Sequence, residues 1–145
     1  MKKIYTIYLD FDGTCVEFAY PKIGMCNFGC VEIMDRLQKA GHRIILNTYR
    51  IECNNDTLQH SLKWFTTASS YVKDRSLDID LKITEYTPKK LDAPSWNWKT
   101  FEDNGVIYID DQSFGIPLKD GQQIKNSKMV DWDELDRQFQ EHNLY

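Results

Sequence analysis

Residues 7 to 14 read Ile-Tyr-Leu-Asp-Phe-Asp-Gly-Thr, IYLDFDGT: an apolar run that stops at Asp10, a second acid at Asp12, and a glycine where the chain can turn. The stretch KIYTIYL (3 to 9) is rich in β-branched and aromatic residues and nearly continuous in hydrophobicity. That is the pattern of a strand buried on both faces of a parallel sheet, and it predicts a strand ending at Asp10. On extended backbone the side chains of Asp10 and Asp12 would point the same way, so that one could attack while the other handles a proton. Gly13 suits a tight turn, and the small Thr14 keeps the space beyond the strand open.

The same pattern returns at GVIYIDD (105 to 111), four apolar residues followed by Asp110 and Asp111. Between the two lies an alternation of periods. GCVEIMDRLQKA (29 to 40) carries a helical stripe of Val31, Met34 and Leu37, with Ile33 and Ala40, and Gly41 stands at the C-cap position. HRIILN (42 to 47) reads as a second buried strand, and a second helix is expected to start near Asp56 and run through Leu58, Leu62 and Phe65. DLKITEY (80 to 86) alternates as a third strand would. Near the end, a short strand precedes a helix that Asp131 and Glu134 would open as a capping box, with Trp132 and Phe139 packing on the core. Strands alternating with helices predict an α/β fold with a mainly parallel central sheet.

The chain of 145 residues suits one domain, 1–145, and no repeat, low-complexity tract or Gly/Ser linker divides it. A net charge of -4 gives no basic field to attract a long nucleic acid or an acidic membrane, so any phosphate-bearing partner must be bound locally. The N-terminal MKKIYTIYLDFDGT is too briefly apolar for a signal peptide or membrane span, and a cytoplasmic protein is expected. Cys15, Cys26, Cys30 and Cys53 fit neither a zinc pattern nor a disulfide framework and are read as free thiols. His42, His60 and His142 lack metal-ligand spacing and are read as surface or packing residues.

In open parallel sheets, ligands bind beyond the carboxyl ends of the strands. Asp10, Asp12, Asp110 and Asp111 would gather there, and four carboxylates in one crevice call for a cation. Oxygen-only donors point to a hard ion, and Mg²⁺ suits carboxylates shared with water and a substrate phosphate.

These residues resemble motifs of the haloacid dehalogenase-like (HAD) superfamily. LDFDGT (9 to 14) is similar to its first motif, IILNT (44 to 48) to its second and YIDD (108 to 111) to its fourth, in the family's order and spacing. The resemblance implies a Rossmann-like three-layer α/β/α sandwich and a Mg²⁺-dependent phosphomonoester hydrolase. Asp10 would be the nucleophile that becomes an aspartyl-phosphate, Asp12 the general acid/base, and Thr48 a donor to phosphoryl oxygens. Mg²⁺ would be held by the Asp10 carboxylate, the Asp12 carbonyl and Asp110, with Asp111 a nearby or alternative ligand. The family's lysine is matched less clearly; Lys90 is preferred over Lys89 and Lys99, because a loop after the third strand would bring its ammonium to the crevice. Arg50 could grip a phosphate or simply be solvated. Trp96 and Trp98 could stack a base or sugar, or pack their loop on the core.

Asp10 and Thr48 are 38 residues apart, room for a short flap at 15 to 28 but not for the cap domain that many members insert. A member without a cap implies either a macromolecular phosphoester, or a small metabolite or nucleotide with a lid supplied by a homo-oligomer. Two alternatives stay open: a phosphotransferase sharing the first step, and a non-catalytic phosphate- or metal-binding module.

Overall fold

Ile7 and Leu9 have no exposed surface, and they lie on β1 (Thr6–Leu9), the middle strand of a three-stranded parallel sheet. The computed structural model describes residues 2–124 and 126–145. β2 (Arg43–Leu46) and β3 (Val106–Ile109) flank β1, and Leu9 sits opposite Leu46 on one side and Ile109 on the other. In that register the residues that follow the three strands, Asp10, Asn47 and Asp110, leave the sheet side by side.

Burial on both faces, as expected for β1, needs correction. Ile7, Leu9, Ile107 and Ile109 are fully buried, but Thr6, Tyr8, Val106 and Tyr108 on the other face are only half-buried. Tyr8 and Tyr108 cover each other there, ring centroids 5.0 Å apart, and a phenol tolerates a wet edge where a leucine would not.

α1 (Cys30–Lys39) links β1 to β2 and ends as Gly41 suggested, in a Schellman motif: Gly41 N–H donates to the Gln38 carbonyl and His42 N–H to that of Leu37. Residues 80 to 86, expected as a strand, form only one parallel bridge, Tyr86 with Leu46. Upstream of it the backbone is bonded by side chains of α1 instead of a neighbouring strand. Asp35 accepts from Asp80 N–H at 2.9 Å, and Gln38 accepts from Lys82 N–H at 2.8 Å while donating to its carbonyl at 2.7 Å. Leu81 and Ile83 still face the core, which is the alternation the sequence displays.

α2 (Arg50–Cys53) is a single turn, followed by α3 (Asn55–Thr66). The cap of α3 is Asn54, which accepts from Thr57 N–H at 2.9 Å; Asp56 falls inside the first turn, so the expected start is slightly late. α4 (Trp98–Asn104), not anticipated from the sequence, carries the chain into β3 between an Asn97 cap and Gly105. β4 (Leu118–Asp120) and β5 (Lys128–Val130) pair antiparallel, and α5 (Trp132–Glu141) opens where Asp131 accepts from Glu134 N–H.

Trp132, Leu135 and Phe139 are fully buried in a core that runs from Tyr5 to Leu144. Of the two readings of Trp96 and Trp98, packing is observed: both indole N–H groups donate to Gln138 Oε1, at 2.9 and 2.7 Å, and both rings meet Phe101 edge-on. His142 stacks on Trp98, His42 is buried between Tyr5 N–H and the Leu144 carbonyl, and His60 is exposed. Cys15, Cys26 and Cys30 are buried free thiols, and Cys53 is an exposed one. Among the described residues no helix is long and apolar enough to cross a membrane.

Candidate active site

The ends of the three parallel strands supply the site. Asp10 follows β1, Thr48 follows β2, Asp110 and Asp111 follow β3, and Lys90 arrives on the loop after the Tyr86 bridge. Asp10 is buried and held at both oxygens: Oδ1 accepts from Lys90 Nζ at 3.1 Å and Oδ2 from the Thr14 hydroxyl at 3.1 Å. Lys90 Nζ also donates to Asp110 Oδ2 at 2.7 Å and to the Asn47 carbonyl at 3.0 Å, which uses its three protons. Of the three candidate lysines, Lys90 is the one at the crevice; Lys89 is exposed and Lys99 pairs with Asp103 on α4.

Two positioning residues had no such role in the sequence reading. Thr14, read there only as small, both orients Asp10 and accepts from Asp111 N–H at 3.3 Å. Asn47 fastens the lysine loop, accepting from Leu91 N–H at 2.8 Å and Thr87 Oγ1 at 3.1 Å and donating to the Leu91 carbonyl at 3.0 Å. Its signal was available: an amide closing a buried strand has to bond something close by.

Asp10, Asp110 and Asp111 present oxygens that all lie within 4.8 Å of one another. Burial, and then the charge of Asp110, push the Asp10 carboxyl well above the usual carboxylate range, with Lys90 pulling the other way. Burial likewise raises Asp111, against hydrogen bonds with Asp10 and Gln112. For Lys90, burial disfavours the charge, but Asp10 and Asp110 outweigh it and its pKa rises. When all three are ionised, three carboxylates against one ammonium leave two negative charges, the charge of a divalent cation, and the donors are all hard oxygens. Gly13 makes room for this cluster: at φ +80° a Cβ there would be strained and would also collide with the Asp111 carboxylate.

Asp12 is turned elsewhere. Its two oxygens accept from Arg50 Nε and Nη2, each at 2.8 Å. The remaining guanidinium protons go to the carbonyls of Lys22, Pro21 and Thr57, so all five donors are used and Arg50 is 0% exposed. The expectation that Arg50 grips substrate, or is simply solvated, is corrected: it is a buried clamp joining Asp12 to the flap and to α3. Asp12 and Asp10 line the same cavity, but the carboxylate of Asp12, taken up by Arg50, stands outside the three-acid cluster.

The cavity, about 490 Å³, is lined by Asp10, Asp12, Thr48, Lys90, Asp110 and Asp111 on its inner side. Thr48 Oγ1 accepts from Arg50 N–H at 3.2 Å, which leaves the hydroxyl proton for a ligand oxygen. The flap expected at 15 to 28 is a hairpin-like loop in which Val16 bridges Cys26 and Glu17 N–H donates to the Met25 carbonyl. A Cβ at Gly24 would run into the Glu17 carbonyl, so the two limbs can lie this close only with glycine there. Asn27 Nδ2 and Trp132 Nε1 both bond the Thr14 carbonyl and fix the flap's base.

No protein-family model and no curated protein matches the chain. Among solved structures it is similar to a conserved protein from Bacteroides thetaiotaomicron, at 25% identity and a TM-score of 0.56, over 95% of this chain and 91% of that one.

Proposed function

We propose that this chain is a cytoplasmic, Mg²⁺-dependent phosphomonoester hydrolase of the haloacid dehalogenase-like type, on a Rossmann-like three-layer scaffold without a cap. The observation that carries the reading is Asp10, a buried carboxylate held at both oxygens by Lys90 and Thr14, beside Asp110 and Asp111 at the ends of adjacent parallel strands. Asp10 attacks phosphorus, the ester P–O bond breaks with its electron pair leaving on the alcohol oxygen, and water later cleaves the aspartyl-phosphate to regenerate the carboxylate. Lys90 and the Thr48 hydroxyl stabilise phosphoryl oxygens. Asp12 protonates the leaving oxygen and takes a proton from the water, which requires at least one of its oxygens to part from Arg50. The carboxylates of Asp10, Asp110 and Asp111, with the Asp12 carbonyl, would hold Mg²⁺, which when bound supplies Lewis-acid neutralisation of phosphoryl charge.

A second reading, a non-catalytic phosphate- or metal-binding module, is favoured by one feature, the complete engagement of Asp12 by Arg50. Phosphate release from p-nitrophenyl phosphate and a panel of phosphomonoesters, with Mg²⁺ and with EDTA, separates the two. The hydrolase reading expects metal-dependent release that EDTA abolishes, and an acid-stable mass adduct of one phosphoryl group on Asp10 or its beryllofluoride analogue. Mg²⁺ binding with neither release nor adduct would establish the module.

A further inference from the structure

The outer side of the same cavity is aromatic. Phe18 and Tyr20 come from the flap and Tyr49 from the turn after Thr48, with Cys53 and Ala93 completing the wall. Phe18 is 55% and Tyr49 58% exposed, whereas Phe11, Phe65, Phe101 and Phe139 are buried. Three large aromatic groups held in water around one opening are costly unless something covers them. Each of the two tyrosine rings has a buried cation over one face: Lys90 Nζ stands 5.3 Å from the Tyr49 centroid, and the Arg50 guanidinium carbon 5.1 Å from that of Tyr20. A cation over one face helps to hold a ring in place, and a ring has a second face with which to meet a ligand. The three rings line one space.

Charge restricts the occupant further. Five carboxylates line the cavity, Asp10, Asp12, Asp92, Asp110 and Asp111, and Lys90 is the cation among the lining residues. One phosphoryl group can be matched by Lys90 and a divalent ion; a second phosphate, or an acidic peptide around a phosphoresidue, would meet Asp92 with no cation among the lining residues left to match it. The volume of about 490 Å³ is that of a small-molecule site.

Resting on the hydrolase reading for the identity of the reacting end, we infer that the ligand is the monophosphate of an uncharged planar aromatic body, a nucleoside or aryl monophosphate, whose ring is seated against Tyr49 and the flap aromatics Phe18 and Tyr20. The phosphate lies at Lys90, the sugar or linker crosses Thr48, and the planar body fills the slot. Stacking on aromatic side chains tolerates different bases, so selection falls on the presence of a ring more than on its hydrogen-bonding edge.

The test is calorimetric titration of the Asp10→Asn protein in Mg²⁺ with adenosine 5′-monophosphate and with ribose 5-phosphate, which share the phosphorylated sugar and differ in the base. Adenosine monophosphate is expected to bind at least about tenfold more tightly, the scale of one base stacked on an aromatic side chain. That ratio is expected to fall below about threefold when Phe18→Ala and Tyr49→Ala are added, and to survive Tyr49→Phe, which keeps the ring. Because Phe18 and Tyr49 are more than half exposed, their truncation leaves the core intact, which a thermal melt checks. Equal affinities, or binding of neither compound, overturn the inference. Turnover by the wild-type chain is read separately: hydrolysis of ribose 5-phosphate with no preference for the nucleotide overturns the slot and leaves the hydrolase standing. Tight nucleotide binding without hydrolysis or adduct does the reverse.

Discussion

Asp10 and Asp12 each meet a buried cation, and the two meetings differ in what they leave over. Lys90 divides one charge between Asp10 and Asp110 with Asp111 close by, so the group stays two charges short of neutral. Arg50 meets Asp12 one to one in a bidentate pair and spends its other protons on backbone carbonyls, so nothing is left to bind. A compact ammonium that can be shared suits a centre where charge must change, and a planar guanidinium with five fixed donors suits a joint. Two acids of the same type, two residues apart, are therefore held in opposite ways: Asp10 in a centre with charge left over, Asp12 in a closed pair that has to open before its carboxylate can move a proton.

The largest effect that would break this contrast lies at Asp10. Asp10→Asn keeps an acceptor oxygen for Lys90 but turns an NH₂ group towards Thr14, and it removes the proposed nucleophile, so phosphate release is expected to fall by at least about 10⁴-fold. The same variant removes one of three crowded carboxylates, so in EDTA its melting temperature should equal or exceed that of the wild type. A variant that melts lower in EDTA would mean that Asp10 is held for stability and not for chemistry.

Arg50→Met comes next, and its effect should be on stability. Asp12 and three carbonyls would lose their partner in a buried setting, a cost of about 3–5 kcal/mol, or a fall in melting temperature on the order of 10 °C. Mg²⁺ should not restore it. Lys90→Met sharpens the comparison from the other side: turnover should drop by about 10²–10³-fold, and whatever stability is lost in EDTA should return with millimolar Mg²⁺, because a divalent ion can replace an ammonium among three acids. If Mg²⁺ rescued the arginine variant as well as the lysine variant, the division between joint and reaction centre would fail.

How much of this was legible in the sequence depends on how local the cause is. β1, β3 and the acids after them could be read, because burial and the turn are written in adjacent residues. The ends of α1 and α5 were legible through Gly41 and through the Asp131–Glu134 spacing. The segment 80 to 86 looked like a strand because Leu81 and Ile83 alternate, yet its backbone partners are Asp35 and Gln38, more than 40 residues away, and no local pattern encodes them. α4 is seven residues long, too short to show a helical period, and only Asn97 and Gly105 marked it. Arg50 misled for a related reason. An arginine two residues after Thr48 looks available to a phosphate until the flap folds over it with the carbonyls of Pro21 and Lys22.

The smallest expected effect concerns the residue that touches both acid pairs of the centre. Thr14 donates to Asp10 Oδ2 and accepts from Asp111 N–H, so its one hydroxyl fixes Asp10, the proposed nucleophile, relative to the loop after β3. Thr14→Val keeps the shape, removes both bonds, and leaves a half-buried N–H without its acceptor, a loss of roughly 1–2 kcal/mol. If the hydroxyl serves only the fold, that loss appears in the melting temperature alone. If it aims Asp10, kcat should fall about tenfold with KM little changed, since aim matters in the transition state more than in binding. Thr14→Ser, which restores the hydroxyl without the methyl group, then decides between packing and aim: recovery of kcat without full recovery of stability assigns Thr14 to the nucleophile.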